Sequence, residues 1–169
     1  MDKLAQNFYK LLMAMSCLAM LAAFGSVLLG VVAREVSWNV GGLGAYAGYA
    51  IAAALFLALP GTLQHGDHIR VSLLLDRVSP RVRNVLEWWC LAAGLALTVY
   101  IAWYAVRLVW VSYATHDISP AADASPLWIP QLAMALGCIG FAMAFVQALV
   151  HRWQGRSFVA IHSDSAHIE

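Results

Sequence analysis

Four long apolar runs, free of charge except for Arg107 late in the third, are separated by short polar connections and set the pattern of the chain. They cover about 11–33, 40–63, 88–110 and 127–150. The first extends without a charge from Leu11 to Ala33, between Lys10 and Arg34. As a helix it rises about 34 Å, enough to cross a hydrocarbon core of ~30 Å with some tilt. A signal peptide would share the preceding Lys3 and Lys10, but its apolar region would be shorter, and no clear small-x-small cleavage site precedes Arg34. The run reads as a retained span. Each of the others is long enough to cross as well, so the pattern predicts an all-α integral membrane protein of four transmembrane helices over 1–153, with a polar tail over 154–169.

The connection between the second and third runs has a pattern of its own. Over about 68–78, Ile69, Leu73, Leu74 and Val78 share one side of a short helix, with Arg70 and Arg77 on other faces. Asp67 is placed to cap it. It is too short to span, and the spacing predicts an interfacial amphipathic helix with basic groups toward the headgroups. Ser79-Pro80 then reads as an N-cap followed by proline at the first helical position. A new helix therefore starts near Pro80 and enters the membrane at Trp88-Trp89. Pro60-Gly61 loosens the last turn of the second run. Small residues recur every four positions at Gly44, Gly48 and Ala52, and again at Gly140, Ala144 and Ala148. Such faces let helices approach closely in lipid. One face should pack inside the chain, and the glycine-richer second-span face should turn outward to a partner.

Composition agrees, with 62% hydrophobic and only 11% charged residues. A soluble domain of this length needs more charge to cover its surface. The net charge of +1 gives no reason to expect nucleic-acid binding. Position matters more than total: eight of the ten Lys and Arg fall on one side of the four-span topology and only Arg34 and Arg107 on the other. That bias puts both termini in the cytoplasm. Cysteines introduced at Ser79 and Ser119 should therefore label from opposite sides. Cys17, Cys90 and Cys138 lack metal-site spacing and read as small buried packing residues.

Candidate chemistry is sparse. An ionisable group deep in a span usually has a use, and the span interiors have none; Arg107 comes closest, near the outer end of the third. It can snorkel, meet Trp103 or Trp110 through cation–π contact, or pair with Glu35. His65, His68, His116 and His151 sit at helix ends or in loops, and His162 and His167 in the tail. A haem b-binding membrane anchor of a redox enzyme is the alternative reading, with His65 and His151 on the same membrane face. Its ligands would be expected inside the bundle instead. Phosphate loops, nucleophile elbows and zinc-protease motifs are absent. The expectation is a non-enzymatic subunit without cofactor or metal.

Two stretches, His68-Ile69-Arg70-Val71-x-Leu73-Leu74 and Ser125-Pro126-Leu127-Trp128-Ile129-Pro130, together with the span layout, resemble the small permease subunit of tripartite ATP-independent periplasmic (TRAP) transporters. The resemblance implies a bacterial inner-membrane protein that binds a large multi-span permease and enlarges its fixed scaffold. In that family the large subunit carries substrate and sodium and moves as an elevator. A periplasmic substrate-binding protein delivers the substrate, typically an organic acid. Gly44, Gly48, Ala52, Ile69, Arg70, Leu73, Leu74 and Arg107 are the candidate interface residues. One departure stands out: many family members carry an acid early in the second span, whereas here Gly41, Gly42 and Gly44 occupy that region.

Overall fold

The structure, a computed structural model, describes residues 2–38, 40–65, 79–121 and 124–154. It contains helices α1 (Asp2–Glu35), α2 (Leu43–His65), α3 (Pro80–Ala114) and α4 (Trp128–Trp153). All four are long and apolar enough to cross a membrane. The expected interfacial helix, with Ile69, Arg70, Leu73 and Leu74, lies outside the described residues.

Two helices, α1 and α3, outrun the spans expected of them. From the helical rise, each is roughly 50 Å long, well beyond a hydrocarbon core of ~30 Å. Both continue past that core at the end of the molecule that carries the termini, because nothing between Asp2 and Lys10, or between Pro80 and Glu87, breaks a helix. Ser79 does occupy the N-cap of α3 with extended backbone and Pro80 at the first turn, but its hydroxyl makes no capping bond. In α2, Pro60 does not end the helix, which runs on to His65.

The helices pack as a row. α1 lies on α2, α2 on α4, and α4 on α3, with a slight touch between α1 and α4. Although consecutive, α2 and α3 are not packed against each other; the last helix is wedged between them. Size sorting explains the close packing. Buried positions are mostly small, including Ala23, Ala47, Ala54, Ala105, Ala135, Ala144 and Ala148, while Leu18, Leu21, Phe24, Leu55 and Trp103 point outward. A soluble protein reverses this sorting. In lipid, helix association depends on contact and fit, and small residues provide both.

The tightest seam joins α2 and α4. Proline has no N–H for the carbonyl four residues earlier, so Pro60 leaves that of Phe56 without its helical donor. A Cβ on Gly137 would run into this same carbonyl. Glycine places a Cα hydrogen there instead, the weak C–H···O contact typical of helix seams. Below it, toward the termini, Tyr9, Leu12, Leu57, Leu63 and Ala144 form a core of three helices, with Phe8, Phe141 and Phe145 around it. Between α1 and α2 the Ser16 hydroxyl donates to the Ala54 carbonyl at 2.7 Å.

The cysteine expectation is corrected. Only Cys138 is buried; Cys17 and Cys90 are exposed. They sit on the outward faces of α1 and α3, where a lipid-facing surface accepts a small apolar thiol as readily as a core does.

Candidate partner-facing surfaces

The two small-residue faces separate in space. Gly140, Ala144 and Ala148 are buried, and a Cβ on Gly140 would meet Leu12 at 2.7 Å and Pro60 at 3.0 Å. Gly44, Gly48 and Ala52 are all exposed, and a Cβ on either glycine would find nothing within 4 Å. One face is used inside the chain, and the other is open.

Arg107 is exposed on α3. It makes no ion pair, hydrogen bond or ring contact among the described residues. The pairing with Glu35 expected as one option does not occur, since α1 and α3 lie at opposite edges of the row. Around Arg107, α3 turns out an aromatic face with Tyr100, Trp103, Tyr104 and Trp110, of which Trp103 is 71% and Trp110 73% exposed. The rings of Tyr100 and Tyr104 lie 4.6 Å apart.

Both ends of the row are fastened. At the terminal end Arg152 on α4 forms an ion pair with Glu87 on α3 and donates to the Asn84 side-chain oxygen at 2.8 Å. Arg83 holds Glu87 from the other side at 3.0 Å. Position along the chain foreshadowed this latch, because Glu87 and Arg152 bound the third and fourth runs on the same side; counting charge by side alone missed it. At the opposite end the loop from Thr115 to Leu127 folds on itself. Ser119 N–H donates to the Ser125 carbonyl at 2.8 Å and Leu127 N–H to that of Asp117 at 3.0 Å. Ile118 and Pro126 form a bridge. Tyr49 of α2 pins the loop through a 2.7 Å hydroxyl contact with Ser119.

A small open pocket of about 250 Å³ lies where α1 meets the start of α2, lined by Arg34, Trp38, Val40 and Gly42 among others. His65 and His151 belong to the last turns of α2 and α4, not to mid-bundle positions. No three metal-ligating side chains gather among the described residues.

Long apolar helices, small residues inside, large ones outside and no buried charge in the described cores define a helical membrane protein built to pack against helices. The family of tripartite ATP-independent periplasmic transporters, DctQ component, matches residues 23–155, and the chain belongs to it. It is thus a membrane component of a TRAP transporter, the small permease component. No curated protein and no solved structure matches the chain.

Proposed function

We propose that the chain is the scaffold partner of the large permease in sodium-driven uptake of an organic acid delivered by a periplasmic binding protein. Family membership carries this reading. Two structural features support it. The described helices bury no acidic or basic side chain in their packed interior, as suits a subunit that neither binds nor moves substrate. The Gly44–Gly48–Ala52 face is open, as suits a helix of another subunit. The terminal end, with Lys10, Arg81, Arg83 and Arg152, is assigned to the cytoplasm by the positive-inside rule. Ile69, Arg70, Leu73 and Leu74 keep their proposed place at the interface on sequence grounds.

Co-purification from membranes with the large permease tests this reading. The unmodified chain should retain that subunit, and organic-acid uptake should require both together with the binding protein. Gly48→Leu should insert and fold, because a Cβ there meets no atom of the described residues within 4 Å, yet lose most of the large subunit. Overpacking of a close seam costs roughly 1–3 kcal/mol. Full retention by Gly48→Leu would move the contact off this face; failure of the unmodified chain to co-purify would sink the assignment.

A further inference from the structure

The two edges of the helix row present different chemistry to the surrounding membrane. On α1 the outward face is aliphatic with one phenylalanine: Leu18, Leu21, Phe24 and Val31. That is what lipid chains require. On α3 the outward face carries Tyr100, Trp103, Tyr104 and Arg107, whose spacing of three, one and three stacks them on one side.

Depth makes this contrast informative. Glu87 is tied to Arg152 at one end of α3, and the Tyr113 ring packs on Trp128 5.8 Å away at the other. Tyr100 lies midway between Glu87 and Tyr113 in sequence, about 20 Å along the axis from each, so it sits at mid-membrane. Headgroup phosphates explain a tyrosine or tryptophan at Tyr113 or Trp110, but not one at the depth of Tyr100. The Tyr100 and Tyr104 rings lie against each other, and no other element among the described residues offers either hydroxyl a partner. Paired only with each other, two hydroxyls satisfy one hydrogen and leave the other without an acceptor among the described residues. The Trp103 indole N–H and the Arg107 guanidinium likewise find no acceptor or counter-charge among the described residues. Polar groups facing hydrocarbon in this state are costly.

We infer that this face of α3 is a second docking surface for the large permease, and that it receives a transmembrane helix with hydrogen-bond acceptors near mid-membrane and a carboxylate level with Arg107. The inference rests on the small-subunit reading above. A second copy of this chain is the wrong occupant: the face carries a cation and no acid, so a symmetric pairing would oppose arginine to arginine. The α2 face supplies closeness without polar contacts, whereas the α3 face supplies the polar contacts that set depth and rotation.

Photocrosslinking in intact membranes that contain the whole transporter tests this. p-Benzoylphenylalanine is placed at Trp103, at Tyr100 and, as a control, at Leu21 on α1. The expected result is an adduct with the large subunit from the two α3 positions and none from Leu21. Adducts with lipid only, adducts with a second copy of this chain, or an equal yield from Leu21 each overturn the proposal. Arg107→Leu, in the chain with the crosslinker at Trp103, should lower the adduct about tenfold, the scale of one charge-assisted hydrogen bond; an unchanged yield overturns the carboxylate. Co-purification of the unmodified chain is measured first. Retention of the large subunit without an α3 adduct overturns this surface alone, and loss of both overturns the small-subunit reading as well.

Discussion

Gly137 and Gly48 are the same residue on two helices of the same membrane protein, yet substitution should act on them oppositely. At Gly137 the obstacle to a side chain is the Phe56 backbone carbonyl, which cannot swing aside. Gly137→Ala should therefore push α2 and α4 apart and destabilise the chain itself by roughly 1–3 kcal/mol, read as a lower thermal midpoint of the purified protein. Gly94→Ala meets only the Phe145 ring, which can rotate, and should cost less. Should the two melt alike, the carbonyl contact would not be the tight point of the seam. Sequence shows that small residues recur at helical spacing but not which set is buried, because Gly44-x-x-x-Gly48 and Gly140-x-x-x-Ala144 look equivalent until a neighbour is placed beside them. The cysteines escape a sequence reading for a related reason: in a membrane protein an apolar residue is at home on either side of a helix.

Among the described helices, α3 has the weakest hold on the molecule, for α4 is the one it packs on closely. The Arg152–Glu87 contact is its fastening at the terminal end. Both side chains are partly exposed. A double-mutant cycle between Glu87→Gln and Arg152→Gln should therefore give a coupling of about 0.2–1 kcal/mol. Zero coupling would assign the hold on that end to packing. At the other end, Tyr49→Phe removes the hydroxyl that grips Ser119 and should cost about 0.5–1.5 kcal/mol, with faster amide exchange confined to the 115–127 loop. Exchange that also rose in α2 would mean that the tyrosine supports the helix and not the loop. Helix starts are legible where local chemistry marks them, as at Ser79-Pro80. They are less so at α1, where the membrane boundary and the helix boundary differ by about two turns. The interfacial segment, legible only as a pattern of Ile69, Leu73 and Leu74, lies outside the described residues.

For the molecule as a whole, the number of spans is plain from uncharged length, but the order of the row is not. Its helices are apolar on nearly every side, so periodicity does not say which face meets which neighbour. Orientation is open to a direct measurement. In a cysteine-free background, cysteines at Ser79 and His116 should react with an impermeant thiol reagent from opposite sides, Ser79 from the cytoplasm; reaction of both from one side would contradict the charge asymmetry. His116 replaces Ser119 as the probe because it is exposed, whereas Ser119 is buried beneath Tyr49. The wedged position of α4 also bears on biosynthesis. A ribosome delivers α1 and α2 as a pair that can dock at once, then releases α3 before α4, the described helix on which it chiefly packs. A chain cut short before Trp128 would leave its third span adrift, a recognisable orphan for membrane proteases. Only once α4 has been made can the four described spans gather into one row, so its synthesis is the step that completes their packing.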